Sequence, residues 1–177
     1  MLRRLFTLFL SVASFGALET PPMKTIAYRG GVITFRLPAT WKEEYQPEGG
    51  GTFFDDRPGS GTLRLNVLTF KAPEGKLPAD GYAHFAGTPL KDGERLIRTP
   101  HGDGLKISKK SAEEDGTKMD LYFWQLAHCA PPQKFYIASF TWTILSTQSG
   151  DAKFQKEIAF LTDEISRAYF SPDLAKL

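Results

Sequence analysis

The chain has 177 residues and a formal net charge of +2, with 22 Lys and Arg against 20 Asp and Glu. That is the length of one domain, able to bury a core without disulfides or metals, and the single cysteine, Cys129, excludes an intramolecular disulfide. The 14 Phe, 6 Tyr and 3 Trp exclude a disordered chain. Charge outside Arg3 and Arg4 is balanced, which argues against nucleic-acid binding.

In chain order, residues 1–4 are basic and 5–18 are apolar apart from Thr7, Ser11, Ser14 and Gly16, with Ser14-Phe15-Gly16 as a small-residue exit. Residues 1–16 therefore read as a secretory signal, placing the protein in the periplasm or outside the cell. The apolar run is shorter than the roughly 20 residues of a membrane span, so no transmembrane segment is expected. A second reading starts translation at Met23, makes the upstream stretch an artefact of start-site choice and leaves the protein cytoplasmic.

Residues 25–28 and 32–37 flank Arg29-Gly30-Gly31 and read as a hairpin ended by Pro38. Strands are expected at 41–45, 52–54 and 62–70, the last alternating Leu63, Leu65 and Val67 against Arg64 and Asn66. Gly49, Gly50 and Gly51 form one loop, and Asp55-Asp56-Arg57-Pro58-Gly59-Ser60-Gly61 a turn cluster. A short helix over 80–85 is followed by strands at 95–98, 105–109, 118–126 and 135–145, with a charged turn at 113–116.

On the last strand Tyr136, Ala138, Phe140, Trp142 and Ile144 form a core face, and the other face turns from apolar to hydroxylic at Ser139, Thr141 and Thr143. A helix follows, capped by Ser149 or Asp151 and stopped at Ser171-Pro172, with Phe154, Ile158, Leu161, Ile165 and Tyr169 as its stripe. Phe160 lies off that stripe, either under a loop or as a partner contact. The whole is one α+β domain over 24–170, with 171–177 a tail. A twisted, mostly antiparallel sheet is flanked by helices, the long C-terminal one packed on it. The alternative is a lipocalin-like barrel carrying an apolar ligand.

The three histidines, His84, His101 and His128, lack zinc-site spacing. His101 and Asp103 are the nearest pair, in a turn. Cys129 follows His128 on an extended segment, where neighbours point to opposite faces, so a thiol nucleophile is not expected from that pair. The acids at 55–56 and 113–115 sit in turns that do not raise a carboxyl pKa. The glycine triplet lacks the Lys-Ser/Thr ending of a phosphate loop. No catalytic residue, metal or cofactor is assigned. Candidate contacts to a partner protein are Gly49, Gly50, Gly51, Asp55, Asp56, Arg57, Ser139, Thr141, Thr143 and Phe160, because rigid sheets carry function on loops and open faces.

The opening Phe35-Arg36-Leu37-Pro38-Ala39-Thr40-Trp41, the aromatic strand at 135–145, and the exit Ile165-Ser166-Arg167-Ala168-Tyr169-Phe170 resemble PsbP-like, Mog-like and DcrB-like domains. That superfamily includes photosystem accessory subunits, a Ran-binding protein, envelope proteins and chaperones of secretion effectors. The resemblance implies a non-catalytic accessory protein of the bacterial envelope acting through a sheet face or loop rim. With a start at Met23 it implies a cytoplasmic adaptor, secretion chaperone or toxin-immunity protein. No functional residue carries over from it.

Overall fold

The computed structural model describes residues 21–176, so the signal-like stretch at 1–16 lies outside the described residues. Strands β1 (Met23–Tyr28) and β2 (Ile33–Pro38) pair antiparallel from Tyr28↔Ile33 to Met23↔Pro38. Their connection places Arg29, Gly30 and Gly31 at φ 47°, 68° and 97°, a run of left-handed backbone that needs its two glycines. A late strand, β10 (Tyr169–Phe170), joins the other edge of β2 and completes a three-stranded sheet.

The second sheet contains β3 (Lys42–Tyr45), β4 (Gly51–Phe54), β5 (Thr62–Lys71), β6 (Arg95–Arg98), β7 (Gly104–Glu114), β8 (Thr117–Ala130) and β9 (Lys134–Leu145). Its order is β3-β4-β5-β9-β8-β7-β6, with every neighbouring pair antiparallel. β3 and β6 are free edges, so the sheet is open and the lipocalin-like barrel is excluded. Both edge strands have four residues and carry charge, Lys-Glu-Glu-Tyr and Arg-Leu-Ile-Arg, which blunts edge-to-edge association. The expected charged turn at 113–116 is shorter than predicted. β7 runs on to Glu114, with Glu113 opposite Lys118, and only Asp115-Gly116 turns, at φ 49° and 75°.

The core lies between the two sheets. Leu63, Leu65, Trp124, Leu126, Phe140 and Trp142 point inward and are at most 1% exposed. Phe35 of the small sheet meets Phe53 and Phe140 edge-on at 5.4 and 5.2 Å, and Trp41 stacks on Trp142 at 5.4 Å. Helix α2 (Ala152–Ser166) closes this core with Phe154, Leu161 and Ile165. Asp151 caps it by accepting from the Lys153 amide at 2.8 Å. Trp124 donates its indole N–H to Thr162 Oγ1 at 3.0 Å, and Arg36 of β2 forks onto the buried Glu164 at 3.1 and 2.9 Å.

The helix ends earlier than its stripe predicted. Arg167 is the C-cap, and Tyr169 belongs to β10, 43% exposed, while Ala168 and Phe170 fill the core. Once the chain pairs with β2, side chains alternate with period two and the helical spacing stops applying. The expected tail is also folded in. A 3-10 turn over Pro172–Lys176 leaves Leu174 only 1% exposed, and its carbonyl accepts from Tyr136 Oη at 3.3 Å.

Helix α1 (Gly81–Ala86), capped by Asp80, lies on the other side of the large sheet. It can approach because two glycines face each other. A Cβ on Gly81 would lie 1.6 Å from the Ala127 carbonyl oxygen, and one on Gly104 would lie 2.4 Å from that of Gly81. α1 therefore stands directly on the β7 and β8 backbones and leaves the rest of that face open.

Candidate site on the outer face of the large sheet

Strand alternation assigns the outer face. β5 presents Arg64, Asn66 and Leu68, and β9 presents Ile137, Ser139, Thr141 and Thr143. β8 presents Phe123 and Gln125, and β7 presents Lys106, Ser108 and Lys110. The register aligns these side chains into rows across the strands. One row runs Thr52, Arg64, Thr141, Phe123, Ser108, and the next runs Asn66, Ser139, Gln125, Lys106. Cross-strand neighbours stand about 5 Å apart, so each row is a continuous strip.

Two hollows interrupt the face and meet at Ser139. The first, about 330 Å³, lies between the rim of Gly49, Gly50 and Gly51 and the strip of Arg64, Asn66, Ser139 and Thr141. The second, about 470 Å³, lies under α1 and the segment following it, over Ser108, Phe123, Gln125 and Ser139. Its walls carry Lys91, Lys106 and Lys110 against a single acid, Glu94. Lys106 lies over the Phe85 ring at 5.3 Å and Lys110 over Phe123 at 5.6 Å. His84 also lines it, its pKa pushed down by burial and then by the Lys106 charge, both of which favour the neutral imidazole. Beyond His84 the face becomes apolar. Phe135 stacks on Phe70 and meets the His84 ring at a tilt, both at 4.8 Å, and Leu68 and Phe70 are 47% and 39% exposed.

Of the residues expected from sequence, five gather at the first hollow: Gly49, Gly50, Gly51, Ser139 and Thr141. The glycine rim is a hydrogen-bonded turn. Gly49 N–H donates to the Gln46 carbonyl at 2.9 Å, Gln46 N–H to the Gly50 carbonyl at 3.2 Å, and Gly50 N–H to Tyr28 Oη at 2.8 Å. The Arg29 guanidinium occupies the space where a Gly49 Cβ would stand. Thr143 continues the row beside Thr62 and Leu121, with its hydroxyl enclosed.

Asp55, Asp56 and Arg57 stand apart, past the other end of β4. The Asp55 carboxylate accepts from Arg57 Nε at 2.7 Å and from the Arg57 amide at 3.2 Å. The guanidinium holds that carboxyl below its ordinary range, and the pair staples its own turn. Phe160 is half-buried and packs against the core cluster, so it is not a lone exposed ring.

Lys91, Lys106, Lys110, Phe123 and Gln125 went unmarked in the sequence reading. The available signal was the alternation Lys106-Ile107-Ser108-Lys109-Lys110. Lys109 points inward to Asp120 at 2.6 Å, whereas Lys110 points outward, so the two adjacent lysines serve opposite faces.

The remaining reactive side chains are held elsewhere. Asp103 pairs with His128 Nδ1 at 2.7 Å rather than with His101, which lies tilted against the Tyr169 ring at 5.5 Å. Burial pushes the Cys129 thiol up to about 11, so it is protonated at neutral pH and a weak nucleophile. Among the described residues no group of His, Cys, Asp and Glu is placed to hold a metal ion, and no helix is long and apolar enough to cross a membrane.

No protein-family model matches the chain, and no curated protein sequence does. Among solved structures, a crystal structure from Bacteroides thetaiotaomicron VPI-5482 is similar over 85% of this chain, at 17% identity and a TM-score of 0.57. The match takes in 49% of that protein, so this chain spans about half its length. The solution structure of cyanobacterial PsbP (CyanoP) from Synechocystis sp. PCC 6803 is similar over 90% of this chain and 99% of its own, at 12% identity and a TM-score of 0.40. At 17% identity the likeness to the Bacteroides thetaiotaomicron structure is one of fold alone.

Proposed function

We propose that this chain is a non-catalytic accessory protein of the bacterial cell envelope that binds another protein through the outer face of its large sheet and the glycine rim beside it. The carrying observation is the strip formed by Arg64, Asn66, Ser139, Thr141 and Gln125 across three adjacent strands, β5, β9 and β8. The outer face of an antiparallel sheet is commonly solvated and polar. Here the middle of the sheet offers hydroxyl, amide and guanidinium groups, with Leu68 and Phe70 exposed alongside. Hydrogen-bonding groups beside apolar anchors are the composition of a protein contact surface. The envelope location draws on the signal-like character of residues 1–16.

Affinity capture from native extract tests the reading. Arg64→Glu combined with Asn66→Asp changes two exposed side chains. The double variant should cut partner recovery at least about tenfold, equivalent to about 1.4 kcal/mol, with the melting temperature unchanged within error. Equal recovery by wild type and variant would remove this face from the contact. Mass spectrometry of the same material should place the mature N-terminus directly after residue 16, and a first residue at Met23 or a chain still carrying residues 1–16 would remove the envelope assignment.

A further inference from the structure

We propose that the pocket between α1 and the outer face of β7 and β8 is a binding site for a small organic anion, a carboxylate or phosphate ester carried on an apolar body. The site stands whether or not the partner contact at Arg64 and Asn66 does, because its charged walls belong to other elements.

Volume is the first support. At about 470 Å³ the pocket falls within the roughly 300–1,000 Å³ typical of small-ligand sites. Charge is the second. Lys91, Lys106 and Lys110 line the pocket with Glu94 as its only acid, and Glu94 is already engaged. One of its oxygens accepts from the Lys91 amide at 3.0 Å, and the other lies 3.9 Å from Lys106 Nζ. Neither the Lys91 nor the Lys110 ammonium is in an ion pair among the described residues. A concave wall with excess positive charge concentrates anions and supplies charge-assisted hydrogen bonds to carboxylate or phosphate oxygens.

The third support is the lining between the charges. Phe85 and Phe123 form an apolar floor, and each holds a lysine over its ring. The Ser108 hydroxyl and the Gln125 amide lie beside them. An anion with an apolar body satisfies both halves of this surface. A bare inorganic ion would leave the rings wet, and a neutral hydrocarbon would leave the ammonium groups unpartnered.

Titration calorimetry of the full chain provides the test, with 2-naphthoate, 2-naphthyl phosphate and the neutral 2-naphthamide as probes. Both anions should bind saturably at one site with Kd below about 1 mM, at least about tenfold tighter than the amide. Lys110→Gln and Lys91→Gln should each weaken the anions about five- to tenfold and leave the amide unchanged. Lys153→Gln, on α2, should change nothing. No saturable anion binding would overturn the proposal, as would parity between naphthoate and naphthamide or indifference to both pocket substitutions. Tighter binding of a tetraglutamate peptide than of either naphthalene anion would also overturn it, because the pocket would then seat an acidic segment of a partner.

Discussion

The two faces of the large sheet are made by the same strands, yet they obey different rules. On the inner face Leu65, Phe140 and Trp124 lie in register under the small sheet and α2, essentially without solvent exposure. One residue along each strand, the outer face carries Asn66, Ser139 and Gln125 in a row, and only α1 stands on it. The inner face is determined by volume and transfer free energy, so its residues are nearly interchangeable in chemistry and not in shape. The outer face is determined by hydrogen-bonding and charge, which contribute little to folding. Stability and binding are therefore expected to separate cleanly between odd and even positions of the same strand.

Leu161→Asp places a carboxylate in the core over the inner face. Losing a buried Leu costs roughly 1.5–3 kcal/mol before any charge is buried, and the uncompensated charge adds several more. The expected outcome is loss of a folded state by near-ultraviolet circular dichroism, and a wild-type cooperative melt would break the comparison at its strongest point. Gly81→Ala tests the one helix on the outer face. Its Cβ meets backbone at 1.6 Å, so α1 must shift, at an expected cost of about 1–3 kcal/mol. Hydrogen exchange should then rise in α1 and stay unchanged in α2.

Acid sharpens the comparison further. Asp120 accepts from Ser111 at 2.8 Å, from Ser146 at 3.1 Å and from Lys109 at 2.6 Å, and the lysine draws its carboxyl well below the ordinary value of 3.8. The unfolded chain therefore takes up that proton first. The stabilisation is fully present above about pH 4 and is lost as pH falls through the folded value. Asp120→Asn should lower stability at neutral pH and flatten its fall between about pH 4 and pH 2, as measured by urea midpoints. An unchanged acid limb would remove Asp120 as its source. The smallest effect on stability is expected from Arg64→Glu with Asn66→Asp, within about 0.5 kcal/mol per site, although its effect on partner capture is large.

Much of the inner face was legible in the sequence. The alternation at 136–144 and the spacing of Phe154, Leu161 and Ile165 are local periodicities, and burial imposes them directly. Tyr169 was misassigned because its spacing fits a helix that had already ended, and only pairing with β2 reveals the change of period. The outer face was legible only in part. Ser139, Thr141 and Thr143 stood out as what a core does not require, but their neighbours come from distant segments. Asp55 and Arg57, read from the sequence as part of a contact loop, pair with each other in the structure.

What the sequence alone determined is the longer elements and the side of each strand that faces the core, because these follow from periods of two and 3.6 residues within one segment. Tertiary structure decided which polar residues stand together. The order β5-β9-β8-β7 brings Asn66, Ser139, Gln125 and Lys106 into one row, and the facing glycines Gly81 and Gly104 let α1 wall off a basic pocket. Both depend on register and close backbone approach between segments far apart in the chain, which no local pattern encodes.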